Sequence, residues 1–455
     1  MIVSSRDGYL LQSEGKLVDA VGYAIERSAA VGAGDAIAMV SEQAGISLTV
    51  AGGKVETAVR EGHQSLRVTV YADGRTGVAS TESLSRSAIE RAVEQAAAMA
   101  RQLERDPQAG LADRGALAWA TPDVPLFAPS GHSAEDLTEA AMAIEDAALS
   151  TATRDEVRVS EAGAASQDMR FALATSQGFC RWGSGSVQRR WCQTIAQRGE
   201  DMRQGSWSSD DRRADRLRPA AEVGRIAAEK ALGMLGAEGL STRRVPVLLD
   251  APVASSLVTD LCAQLSGSAQ FRRMTFLPDA MGQPLAAPHL TLEEDPFEPY
   301  GLASAAFDSE GVAGARRAVL RAGVVEGLFL DTRLARKLGR ASTGNASGMR
   351  NLTFTSSTTE SGDDLPGMLR KLGTGLWLTR FMGGGSNPAT GVYSRAAAGF
   401  WVENGQVVRP VHGFTVAGNL QDMLKAIVAV GTDVHRDGAI RVASILLPDL
   451  QIAGR

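Results

Sequence analysis

Cysteine is scarce: three residues in 455, Cys180, Cys192 and Cys262. That is too few, and too widely spread, for a disulfide framework. Cys180 and Cys192 would meet only if a hairpin turned between them, and buried free thiols are the plainer expectation. No window approaches the 18 uninterrupted apolar residues of a membrane span. The first residues lack the basic stretch and apolar run of a signal peptide, so a reducing cytoplasm is the default expectation. Basic excess is also missing. With 47 Lys and Arg against 52 Asp and Glu, the net charge of −5 argues against a generally basic nucleic-acid binder.

Catalytic signatures are absent as well. The five histidines, His63, His132, His289, His412 and His435, are at least 23 residues apart, so no zinc-binding helix of the H-E-x-x-H kind exists. No C-x-x-C pair occurs. Gly183-Ser184-Gly185-Ser186 has the wrong spacing for a nucleophile elbow and leads into a strand-like run. Gly383, Gly384 and Gly385 precede Asn387-Pro388, not the G-K-S/T of a phosphate loop, and read as a glycine-rich turn. Arg212, Arg213, Arg216 and Arg218 lie beside Asp210, Asp211 and Asp215, which predicts a solvated segment. Glu293-Glu294-Asp295 before Pro296 reads as an acidic turn.

What is present describes an ordinary globular chain, 44% hydrophobic and 22% charged. At this length about three quarters of the unfolded surface is buried, which needs no metal or disulfide to hold it. Three segments are expected: 1–115, 116–240 and 241–455. In the first, a helix spans about 17–28. Residues 65–80 form a hairpin turning at Asp73-Gly74. Ser87 and Glu90 make a capping box for a second helix. The 107–129 stretch is a connection. The second segment opens with the capping box Ser133 and Asp136. Strands follow near 157–160, 170–175 and 187–197, with a turn at Ser176-Gln177-Gly178, and Pro219 starts a helix. In the third, Asn404-Gly405 predicts a two-residue hairpin, and a helix follows over about 420–428. Strands and helices mix without regular βαβ alternation, so the fold class is α+β: a helix-and-sheet N-terminal region and a strand-rich C-terminal domain. The helix-plus-hairpin pattern hints at duplication, but no period emerges.

The C-terminal segment resembles a known family. Gly301-Leu302-Ala303-Ser304, Phe307-Asp308-Ser309-Glu310-Gly311 and the stretch 331–346 look like the TldD/PmbA family, also called modulators of DNA gyrase. The densest likeness is 393–405, beginning Tyr393-Ser394-Arg395, then 415–420 and the closing Leu446-Leu447-Pro448. The resemblance implies a cytoplasmic, zinc-dependent peptidase built from two related subunits and acting on unfolded or small peptides. In the TldD-type subunit an H-E-x-x-x-H helix and a late cysteine hold the zinc and leave a position for water.

This chain departs from that pattern. Counting back from Phe271-Arg272-Arg273, the zinc helix should fall at 257–264, which reads Leu-Val-Thr-Asp-Leu-Cys-Ala-Gln. Asp260 and Cys262 stand two apart and face different ways on a helix. Where the late cysteine belongs, the chain has Arg441-Val442-Ala443-Ser444. The resemblance therefore implies a noncatalytic TldE/PmbA-type subunit with no cofactor of its own, zinc being expected in a TldD-type partner. Isolated, it would pair with itself. Phe271, Arg272, Arg273, Gly383, Gly384, Gly385 and Ser386 are candidates for lining the chamber or the interface. Two rival expectations are a self-sufficient homo-oligomeric hydrolase using Asp260, Cys262, His289 or His435, and a protein that modulates gyrase or DNA by binding.

Overall fold

The computed structural model describes residues 11–152 and 156–454. Its fold is α+β. The N-terminal half is one antiparallel six-stranded sheet in the order β3-β2-β1-β4-β5-β6. These strands are β1 (Asp35–Ala51), β2 (Lys54–Ala72), β3 (Arg75–Thr81), β4 (Val157–Thr175), β5 (Cys180–Arg198) and β6 (Asp201–Asp211). Four helices pack on it: α1 (Glu14–Ala30), α2 (Arg86–Gln102), α3 (Ala134–Leu149) and α4 (Ala220–Leu232).

The hinted duplication is visible here. Helix, three strands and helix occur twice, and β1 pairs with β4 at the centre from Ile37↔Thr175 to Val50↔Ala162. Each repeat buries one helix pair over its own end of the sheet. Leu17, Val21, Ile89, Val93 and Ala96 pack on Val40, Leu66 and Val68. Ala141, Ile144, Val223 and Ala227 pack on Leu48, Val50, Val157 and Cys192. The apolar residues sit at i, i+3, i+4 and i+7, so one stripe of each helix faces the sheet.

The turns are as read from sequence at Asp73-Gly74 and Asn404-Gly405, where both residues take positive φ as a tight hairpin requires. The Ser133–Asp136 capping box is present. Other local readings need correction. The Ser87–Glu90 box does not form: α2 begins after Ser85, and Glu90 instead accepts the Tyr23 hydroxyl. Pro219 is the N-cap rather than the first helical residue. The two short strands expected at 157–160 and 170–175 are one continuous β4. Cys180 and Cys192 lie on the same strand and cannot meet across a hairpin. The helix expected over 420–428 ends at Lys425.

In the C-terminal half, β7 (Arg243–Leu249), β12 (Gly375–Ser386), β13 (Val392–Glu403), β14 (Gln406–Asn419) and β17 (Ile445–Ala453) pair in a ring, because β14 also bonds to β17. The short β15 (Ala429–Val430) extends β17. A second sheet, in the order β10-β9-β8-β11-β16, is made of β8 (Leu290–Asp295), β9 (Arg317–Arg321), β10 (Val324–Val325), β11 (Asn351–Ser356) and β16 (Ile440–Arg441). The helix α5 (Ala251–Gln264) and the short α6 (Gly267–Arg272) connect the two sheets. Leu257, Leu261, Leu292, Phe354, Leu378 and Leu447 belong to one continuous core.

Candidate functional site

α5 follows β7 directly, with Asp250 at its N-cap and Pro252 in its first turn, where a missing N–H costs nothing. Its buried face, Val253, Ala254, Leu257, Val258 and Leu261, fixes the helix against the core. The rotation this imposes sends residues 260 and 262 different ways. Cys262 is sealed in the core and burial pushes its thiol pKa up, so it stays protonated. Asp260 meets Arg395 of β13, with Oδ2 2.8 Å from Nη2. The Arg395 guanidinium also lies over the Phe381 and Tyr393 rings, 5.1 and 5.5 Å from their centroids. Tyr393 is buried and its hydroxyl pKa is raised by that burial.

The glycines at 383–385 are not a turn. They are strand residues of β12, paired as Gly383↔Ala396, Gly384↔Arg395, Gly385↔Ser394 and Ser386↔Tyr393. At Gly384, φ is +90° and a Cβ would collide with Ser394 O, so the close approach of β13 requires glycine. Residues 383–386 are thereby brought beside the Asp260–Arg395 pair. On its other side β12 bonds to β7 only at 376–378, leaving the remainder unpaired by any strand among the described residues. Phe271, Arg272 and Arg273 lie at the end of α6. The Phe271 ring carries the Lys337 ammonium 5.0 Å above it, and Arg273 pairs with Asp279 in solvent.

A cleft of about 1570 Å³ runs between the outer face of the barrel and the N-terminal sheet. β6 supplies Gln204, Ser206 and Ser208, the barrel supplies Trp377, Arg380, Phe400 and His412, and β5 supplies Arg189 and Trp191. Trp377 and Phe400 stack 5.2 Å apart. Asp250 sits here with Lys230 Nζ at 3.8 Å, and burial raises its carboxyl pKa. Two contacts bridge the walls: Arg380 Nη1 donates to Gln204 O at 2.9 Å, and Arg203 Nη2 lies 3.0 Å from His412 Nε2.

The remaining polar candidates have separate settings. His289 is held between Ser356 Oγ and Ile427 O, so its Nε2 carries the proton. His435 packs edge-on against Trp207, and burial lowers its pKa. Neither joins Asp260 or Cys262, and no group of three His, Cys, Asp or Glu able to hold a metal occurs among the described residues. The α5 donors do not fit zinc: the one carboxylate is neutralised by a fixed cation and the one thiol is sealed and protonated.

Two surface readings also need correction. Arg212 is not solvated; it is buried and donates to Gly301 O and Leu302 O, tying the two halves together. Glu294 is not in a turn but on β8, 2% exposed. Sequence reasoning missed Arg395, although it stands in the stretch that carries the strongest family likeness.

Residues 242–454 match the PmbA/TldA metallopeptidase C-terminal domain, 37–100 match domain 1, and 127–235 match the central domain. Metalloprotease PmbA of Escherichia coli O157:H7 is 37% identical over 457 residues, covering 96% of both chains. The chain belongs to the PmbA/TldD metallopeptidase family. The PmbA homolog of Haemophilus influenzae is 34% identical over 98% of each chain. The same fold is found in a protein named as a DNA gyrase modulator from Bacteroides thetaiotaomicron. That structure has a TM-score of 0.89 and 24% identity, over 98% of this chain and all of the other. TldE from Thermococcus kodakarensis has a TM-score of 0.83 and 19% identity, over 96% of this chain and all of the other. No helix among the described residues is long and apolar enough to cross a membrane.

Proposed function

We propose that this chain is a noncatalytic TldE/PmbA-type subunit of a cytoplasmic peptidase, completing a zinc-bearing TldD-type partner that cleaves unfolded or small peptides. The observation that carries the reading is the Asp260–Arg395 pair between α5 and β13. At the place where the family resemblance puts a metal helix, a guanidinium already neutralises the one carboxylate of α5. A divalent cation arriving there would meet a like charge held by a carboxylate and two rings, which disfavours binding. The relatives named metalloproteases fit this reading if activity belongs to the pair rather than to this chain. The unpaired stretch of β12 beside residues 383–386 offers main-chain groups to an extended peptide.

The test is zinc content and peptidase activity of the purified chain, alone and mixed with a TldD-type chain from the same genome. A metal-free, inert chain that activates the partner is the expected result. Stoichiometric zinc and chelator-sensitive turnover in the chain alone would instead establish the self-sufficient hydrolase.

A further inference from the structure

The outer edge of β6 has a chemistry of its own. β6 pairs with β5 along its whole length, from Gln188↔Asp211 to Arg198↔Asp201, without a bulge, and bonds to no other strand among the described residues. Its backbone direction is readable. Arg198↔Asp201 closes a two-residue hairpin, so Asp201, Arg203 and Gly205 bond to β5; Gly205 O also takes the Thr194 hydroxyl, whereas Gln204 O accepts from Arg380 across the cleft. In an antiparallel strand the N–H and C=O of one residue point to the same side and alternate along the chain. Gln204, Ser206 and Ser208 therefore aim their main-chain groups into the cleft.

Open edges are normally blunted by lysine, proline or a bulge. Between Arg203 and Asp210 this edge has none of these and no charge. It is protected by recess, because the barrel stands opposite and the Arg380 and Arg203 bridges hold the walls together. A folded sheet cannot reach it, but a single extended chain can. The side chains in the cleft nearly cancel, with Arg189, Arg203, Lys230 and Arg380 against Glu61, Glu161, Asp210, Glu229 and Asp250. That balance suits a neutral main chain better than a charged small molecule.

We infer that the β6 edge at Ser206 and Ser208 is a strand-addition site for an extended, unfolded peptide. It is distinct from the β12 edge beside Arg395, and it rests on the proposed reading that this chain handles peptide. The peptide adds as a seventh strand, bonding through every second residue, so recognition is independent of its sequence.

The experiment measures fluorescence anisotropy of a labelled, uncharged eight-residue Ala/Thr/Val peptide with the full chain, alone and with the TldD-type partner. Ser206→Pro and Ser208→Pro delete N–H groups that face the cleft and leave the β5 ladder intact. Each is expected to weaken binding about tenfold at unchanged melting temperature. Peptides with a methylated backbone test the same point without altering the protein: N-methylation at every residue abolishes binding, whereas N-methylation at alternate residues retains it, because a chain bound without sequence preference slips by one residue to present its unmethylated edge. Wild-type affinity in both proline variants, with full N-methylation of the peptide tolerated, would overturn this site while leaving peptide handling intact. No binding by the wild type in either state would overturn both.

Discussion

Gly77 on β3 and Gly205 on β6 occupy matching places in the two repeats, each directly beneath a helix backbone. A Cβ on Gly77 would collide with Ala96 O of α2, and a Cβ on Gly205 with Ala227 O of α4. The last strand of each repeat thus admits its closing helix only because one side chain is missing. Gly77→Ala and Gly205→Ala should each destabilise by about 1–3 kcal/mol, since backbone rather than a flexible side chain must move. Gly22→Ala in α1, where nothing lies within 4 Å, should instead stabilise by about 0.5–1 kcal/mol. Urea midpoints of the three variants check both signs.

The Asp260–Arg395 pair makes a second, opposite-signed prediction from one site. Both side chains are mostly buried, 15% and 17% exposed. Removing one partner strands the other, so Arg395→Met alone should cost about 3 kcal/mol. The double variant Asp260→Asn with Arg395→Met should recover most of that loss. Chelator should leave the melting temperature of the wild type unchanged. A chelator-dependent drop would place a metal in the fold and remove the argument for the guanidinium.

Local chemistry was legible in the sequence and tertiary chemistry was not. Asp73-Gly74, Asn404-Gly405 and the Ser133 cap depend on residues within four positions of one another, and they stand as read. The middle of β4 escaped because Ala164, Ala165 and Ser166 are small and show no strand alternation; their conformation is set by β1 and β5 on either side. The period of the duplication escaped for a related reason. It lies in where backbones approach, at Gly77 and Gly205, rather than in a repeated sequence. Gly383, Gly384 and Gly385 read as a turn because glycine does so in isolation, whereas β13 crowds one of them into a strand. For the site, the α5 helix and the absence of histidine were visible, but Arg395 is 135 residues from Asp260 and only the fold joins them.

Asp168 on β4 should make stability depend on pH. Burial raises its carboxyl pKa to about 6, and Oδ1 has no hydrogen-bond partner. A folded-state pKa above the unfolded value favours the folded state fully at low pH, and that contribution is lost as pH rises through about 6. Asp168→Asn removes the loss. The variant should match the wild type near pH 3.5 and exceed it by about 1 kcal/mol at pH 7.5, a figure reduced for partial exposure. Melting curves across that range check it; parallel curves at every pH would show that Asp168 keeps its ordinary pKa.

Glu294 gives the largest predicted effect, because its whole charge is handled inside the protein. Its Oε2 lies 2.8 Å from Arg317 Nε, and its Oε1 accepts from Asn345 Nδ2 and the Arg350 amide at the same distance. These partners come from two separate stretches, so the carboxylate fastens β8 to β9 and to the loop before β11. Glu294→Ala leaves a mostly buried guanidinium without its carboxylate and two N–H groups without acceptors, and should cost about 3–5 kcal/mol. Glu294→Ala combined with Arg317→Met should cost clearly less than the single change, since no uncompensated charge remains. Because the pair is buried, moving from 0.05 to 0.5 M salt should barely alter the gap. The readout is the urea midpoint at constant slope; a single-variant loss below about 1 kcal/mol would mean that water replaces the missing carboxylate and that this junction is open to solvent.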